Sequence, residues 1–292
     1  MFSIIGIVMV FGAVLGGFIL SGGPVPVLWQ PYELLVICGA AIGTLIIGAP
    51  GKMRGRLMGS LGKAFKGAVP TKAEYLDLLK MQFEVLTFMR RNGAIALEAH
   101  VTDLHKSDLF SKYPSFLKRH HAVDFYADAL RQVVNGASAE DLTQLLDAEM
   151  DVHHEEGHLP IAMIKSTGDA LPGLGIVAAV LGIVITMGHL DGGAEEIGHH
   201  VAASLVGTFL GILLCYGVMQ PLATNVEMQG VAESKYFSCL KEGLLAALRG
   251  ASPMFAVEFA RKALFSDERP TGAETEAACK ELKNAAPAAP SG

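Results

Sequence analysis

The sequence predicts an all-α membrane protein with four transmembrane helices and a helical cytoplasmic domain inserted between spans 2 and 3. Three observations carry that prediction. The 292 residues are 51% hydrophobic and only 18% charged, with 33 glycines and a positive mean hydropathy, a composition suited to a bilayer. The apolar excess is concentrated in four runs, Phe2 to Leu20, Leu34 to Ala49, Leu171 to Leu190 and Val201 to Leu222. Each is near or above the length that about 30 Å of hydrocarbon demands of a helix. All 23 Lys and Arg fall within residues 52–165 or 235–283, so by the positive-inside rule the long insert and the tail are cytoplasmic and the two short connections lie outside.

The first run starts directly after Met1 with neither a basic leader nor a small-residue cleavage site, and reads as a retained span. Residues 21–31 are a Gly/Pro-rich outer turn, with Trp29 and Tyr32 placed as interfacial aromatics. The second run is the shortest and needs its flanks to cross. These elements make residues 1–50 a helix pair, 51–168 the cytoplasmic domain, 169–222 a second helix pair and 223–292 a cytoplasmic C-terminal region.

Within the insert, Leu76, Leu79, Phe83 and Leu86 recur at helix spacing, and Asn92-Gly93 is a stop signal. A second helix is expected from near Ile95 and a break around Pro114. An amphipathic helix over about His121 to Val134 should end at Asn135-Gly136. Ser138 with Asp141 then opens a helix directed toward Pro160 and the third span. The second outer connection carries Asp191, Glu195 and Glu196. After the fourth span the pattern stays helical through about Leu248, and the Ala/Pro/Glu/Lys-rich stretch from about Asp267 to Gly292 predicts disorder.

Several chemistries are excluded or disfavoured. Cys38, Cys215, Cys239 and Cys279 show no disulfide or redox spacing. The net charge of −6, with acidic and basic residues interleaved, gives no nucleic-acid footprint. His154-Glu155-Glu156-Gly157-His158 fits the zinc-protease pattern of two His one turn apart with a Glu between them. However, His153 is adjacent, Gly157 and Pro160 disturb the helix, and no third ligand is near in sequence. The simpler reading is a solvated helix end, so no metal, cofactor or enzymatic activity is expected.

The third and fourth spans carry small residues on one face: Gly175, Ala179, Gly182 and Thr186 in one, Ala203, Gly207 and Gly211 in the other. Ser204, Thr208 and Cys215 form a neighbouring polar stripe. Close helix packing accounts for the glycines. Thr186 and Thr208 either bond their own backbone or line a pathway. The cores of the four runs contain no Asp, Glu, Lys, Arg or His, the groups that relay protons inside membranes. If protons pass, the titrating carboxylate must come from a partner helix. Pro172 and Pro221 stand at the inner ends of spans 3 and 4, as hinges or as ordinary helix-end prolines. Arg90, Arg91 and Glu98 are expected on the surface of the insert, where solvated charge is the simplest reading.

Several stretches resemble the flagellar stator branch of the MotA/TolQ/ExbB superfamily. They are Gln30-Pro31-Tyr32-Glu33-Leu34-Leu35 with Gly39-Ala40-Ala41-Ile42-Gly43, Met89 through Glu98, Ala170 through Gly182, and Leu205-Val206-Gly207-Thr208-Phe209-Leu210-Gly211-Ile212 continuing through Tyr216-Gly217 to Pro221-Leu222-Ala223. Four spans rather than three separate this branch from TolQ- and ExbB-like chains. The resemblance implies a multi-pass protein of the bacterial inner membrane, with both termini cytoplasmic, forming a homopentamer around a MotB-like partner. That partner would supply the proton-binding Asp. It further implies that Arg90 and Glu98 engage the rotor protein FliG, that Pro172 and Pro221 couple conformational change, and that Thr208, Thr186 and Tyr216 border the ion path. A TolQ/ExbB-like proton channel energising an outer-membrane system is the alternative.

Overall fold

The computed structural model describes residues 2–66, 69–188 and 193–285, and no strand occurs among them. The helices are α1 (Phe2–Leu20), α2 (Val25–Leu28), α3 (Pro31–Gly48), α4 (Gly51–Lys66), α5 (Lys72–Asn92), α6 (Glu98–Val101), α7 (Pro114–Leu117), α8 (His120–Val134), α9 (Ala139–Met187), α10 (Gly193–Leu214), α11 (Gln220–Leu248), α12 (Pro253–Lys262) and α13 (Gly272–Ala285). Asp191, the side chain of Glu195 and residues 286–292 of the expected tail lie outside the described residues.

Four stretches are long and apolar enough to cross a membrane: Phe2–Leu20, Val25–Gly48, Ala139–Met187 and Glu196–Leu248. Trp29 and Tyr32 at the first turn are largely exposed. The chain divides into two compact units, Met1–Ala68 with Glu156–Gln229 and Val69–Glu155 with Gly230–Gly292. The 49-residue α9 and the 29-residue α11 each contribute to both.

The first unit is built on two small cores. Ile37 and Ala41 of α3 meet Leu171 and Ala178 of α9 and Cys215. Leu57 and Ala64 of α4 meet Ile161, Ile164, Leu222, Ala223 and Val226. No residue of α1 is buried, which a bilayer tolerates, because an exposed apolar side chain is at home in hydrocarbon once the helix satisfies its own backbone. Polar contacts gather where α9 and α11 continue beyond their apolar stretches. Lys165 and Glu227 pair at 2.8 Å, and the Lys165 ammonium holds the Glu227 carboxyl below its usual range.

The second unit has the larger core, formed by α5, α8, α12 and the second half of α11. Tyr75, Leu79, Tyr126, Leu130, Tyr236 and Leu240 are among its fully enclosed side chains. Local chemistry fixes its helix ends. Thr71 and Glu74 form a reciprocal capping box at the start of α5. Gly93 and Gly136, at φ +84° and +86°, take the positive φ open to glycine and end α5 and α8 at the expected stop signals. At the start of α9 the Asp141 amide donates to the Ser138 hydroxyl at 3.1 Å. The helix expected near Ile95 is instead a 3-10 turn over Ala94–Leu97 followed by the one-turn α6.

The expectation of disorder from Asp267 is corrected over Gly272–Ala285, which form α13 packed on α5. Composition conceals the reason. Thr275, Cys279 and Leu282 stand at i, i+4 and i+7 and make a narrow stripe, with Thr275 and Cys279 buried and Leu282 against the core. That stripe is wide enough to dock a short helix. Thr271 and Glu274 cap its start reciprocally. The hydrogen bond from Lys72, with those from Thr271, holds the Glu274 carboxyl at about 2.

Candidate functional site

The small-residue faces of α9 and α10 meet backbone to backbone. A Cβ at Gly175 would lie 2.7 Å from the Gly207 carbonyl oxygen, and one at Gly211 would lie 2.5 Å from the Leu171 carbonyl oxygen. Only hydrogen fits at these positions, so the glycine spacing records a close crossing. The hydroxyls on its flank serve the backbone first. Thr186 Oγ1 donates to Gly182 O at 2.8 Å and Ser204 Oγ to His200 O at 2.9 Å, and both side chains are buried. Thr208, one residue beyond Gly207, is half-buried, its Cα in contact range of the Gly175 position.

A carboxylate stands at this crossing, although the apolar cores of the runs hold none. Glu33, in the first turn of α3, lies one residue before the second apolar run. Its Oε2 would be 2.7 Å from a Cβ on Gly207, and its Oε1 3.2 Å from a Cβ on Gly182. Oε2 is buried without a hydrogen-bond partner. The absence of Asp and Glu from the four runs is therefore not their absence from the helix assembly. Folding delivers an acid from the end of span 2 into contact with spans 3 and 4.

The two prolines adjoin one another through the turns they weaken. Proline removes the donor that would bond the carbonyl four residues earlier and crowds that carbonyl; the positions affected are Gly168 for Pro172 and Gly217 for Pro221. Pro172 stays inside the continuous α9. In the turn before Pro221 the chain widens into a π-helix over Cys215–Met219, as helices do where the regular ladder is interrupted. A Cβ at Gly168 would meet Met219 Cβ at 3.0 Å, and Gln220 Nε2 donates to Asp169 Oδ1 at 2.6 Å. The π turn presents Tyr216, which is exposed, beside a hollow of 550 Å³ lined with Gln220, Pro221, Thr224, Asn225 and Met228.

In the second unit Arg90 and Arg91 occupy the last turn of α5 and Glu98 opens α6. All three are exposed. The side chains of Arg90 and Glu98 make no hydrogen bond or ion pair with other described residues. His154 and His158 are exposed on α9, and no cluster of three His, Cys, Asp or Glu able to hold a metal occurs among the described residues.

Residues 4–93 match the family model for the N-terminal part of motility protein A, and residues 118–236 match the MotA/TolQ/ExbB proton channel family. Motility protein A of Escherichia coli is 39% identical over 285 residues, covering 97% of each chain. The chain belongs to the motility protein A family. The family member from Salmonella typhimurium is 37% identical with the same coverage. Chemotaxis protein LafT of Vibrio parahaemolyticus is 34% identical over 91% of this chain and 94% of its own.

Among solved structures, the flagellar MotAB stator complex from Bacillus subtilis superposes with a TM-score of 0.73 at 26% identity, covering 97% of this chain and 98% of that one. The MotAB structure from C. jejuni gives 0.76 at 20% identity over 91% and 96%, a likeness of fold. Within the motility protein A framework, Arg90 falls in the first matched segment. Thr186, Thr208, Tyr216, Pro172 and Pro221 fall in the second, and Glu98 lies between the two.

Proposed function

We propose that this chain is the membrane subunit of a proton-driven flagellar stator, converting proton flow into torque together with a MotB-like partner. Whole-length similarity to motility protein A at 39% identity carries this reading. The geometry gives it a physical route. The charge distribution supports a cytoplasmic insert and cytoplasmic termini, with Glu33 toward the outside and the proline-weakened turns toward the inside. Five copies surround the paired helices of the partner, whose membrane Asp takes up and releases the proton. Thr208, with Thr186 and Tyr216 nearby, borders its route.

Each proton crossing supplies about 2.3 kcal/mol per 100 mV. Neutralising the partner's carboxylate removes most of its desolvation cost, so its fit between successive copies alternates as it charges and discharges. Pro172 and Pro221, whose weakened turns touch, pass that change to the helices continuing into the cytoplasmic unit. There Arg90 and Glu98 meet complementary charges on the rotor protein FliG. A TolQ/ExbB-like energiser shares the second matched segment, but the N-terminal match over residues 4–93 favours the stator.

Complementation of a non-motile strain lacking its own motility protein A tests the reading. Swimming is expected to return in sodium-free medium and to stop when a protonophore collapses the proton gradient. No return of swimming, or swimming that requires sodium, contradicts it.

A further inference from the structure

We infer that Glu33 is a proton-binding site contributed by this chain itself, set at the outer end of the route between spans 2, 3 and 4. The inference rests on the stator reading and adds to it a second acid beside the partner's Asp.

The site is built, not incidental. Gly182 and Gly207 are the residues whose missing Cβ atoms make room for the two carboxyl oxygens, and a methyl group at Gly207 would sit 2.7 Å from Oε2. Ala178 Cβ and Ser204 lie on the far sides of the same gaps. The glycines therefore do two things: they let α9 and α10 cross, and they admit a carboxyl group where neither helix supplies one. Gly182 is five residues before the end of α9, or about 8 Å at 1.5 Å per residue, which places Glu33 in the outer third of a hydrocarbon layer about 30 Å thick.

No Lys or Arg among the described residues pairs with this group. The sequence has no Lys or Arg before Lys52 or between Lys165 and Lys235. On α3 the other titratable residues are Tyr32 and Cys38, and α9 has none from Leu171 to Met187. On α10 they are Glu195, Glu196, His199 and His200, the side chain of Glu195 lying outside the described residues. The two imidazole rings form an edge-on pair 6.2 Å apart, and the His200 carbonyl is taken by Ser204. A carboxylate with one oxygen enclosed and no paired Lys or Arg carries its full charge only at a cost, so binding a proton stabilises it. The residue as a whole is only half-buried within the chain, and its position in the first turn of α3, next to the outer connection, gives the proton a short path to the outer side. A group that is enclosed enough to hold a proton and open enough to release it is what the outer end of a proton route needs.

The test uses the full complex with its MotB-like partner in proteoliposomes. Two readouts are followed against external pH: proton flux, and the infrared carbonyl band of protonated carboxylic acids. In the wild type one band component should titrate from the outside, and Glu33→Gln should remove it. The same variant should move the half-maximal flux about one unit toward lower external pH, a tenfold change in proton concentration. Glu33→Asp should restore a titrating band at a shifted position.

If Glu33→Gln alters neither the band nor the pH dependence, the inference is overturned. If that variant does not assemble, Glu33→Asp decides, and an unchanged band and flux profile overturn it equally. A Glu33-dependent response to sodium at constant pH would replace the proton assignment. The infrared readout needs no flux, so a wild-type complex that carries no protons contradicts the stator reading while Glu33 is still scored by its own band.

Discussion

Gly211→Val is expected to abolish swimming and to remove most of the chain from the membrane, while Gly157→Ala leaves both unchanged. The difference lies in what each new side chain meets. A Cβ at Gly211 lies 2.5 Å from the Leu171 carbonyl oxygen and 3.1 Å from the Gly175 Cα. These are backbone atoms, which cannot rotate aside, so α9 and α10 must separate along the crossing. Overpacking in a tight contact costs about 1–3 kcal/mol even where side chains can adjust. Here the separation also withdraws Gly207 and Gly182 from Glu33. At Gly157 a Cβ meets nothing within 4 Å, and alanine there favours the helix. Immunoblotting of membrane fractions beside swim-plate diameters checks the prediction. Wild-type amounts of a motile Gly211→Val protein would show that the helices do not cross as closely as described.

Charge reversal on the cytoplasmic unit should have an equally large effect on swimming by a different route. Arg90→Glu or Glu98→Lys is expected to stop motility with membrane level and thermal unfolding unchanged, and a reversed partner charge on the rotor is expected to restore it. Both side chains are exposed and unengaged with other described residues, so folding loses little, within about 0.5 kcal/mol for such surface positions. A like-charge contact at a docking surface costs several kcal/mol, and about 2 kcal/mol already weakens a contact roughly thirtyfold. Torque measured on tethered cells, with the complementary rotor variant as the rescue, separates docking from folding. Unaltered torque in both variants would remove these residues from the rotor contact.

Much of this architecture was legible because long periodic signals survive without context. The four apolar runs, the stop signals at Gly93 and Gly136, and the helix start at Ser138 depend on neighbours within one or two turns. Glu33 was not legible in the same way. In sequence it lies just outside an apolar run, beside interfacial Tyr32, and only the crossing of α9 and α10 reveals the gap that receives it. The helix at Gly272–Ala285 was hidden by composition, although Thr271 and Glu274 carried the spacing of a capping box. Thr186 shows the reverse limit. Its type left backbone bonding and a pathway both open, and its hydroxyl donates to the Gly182 carbonyl, so any role at the ion route depends on what the assembled complex adds.

The most direct measurement is proton flux into liposomes containing this chain alone, compared with liposomes containing it and its MotB-like partner. The spans hold no acid of their own between their ends, and Glu33 serves only the outer third of the layer. The chain alone should therefore stay proton-tight, with flux appearing only when the partner carries its membrane Asp. Robust flux through the chain by itself would contradict the account.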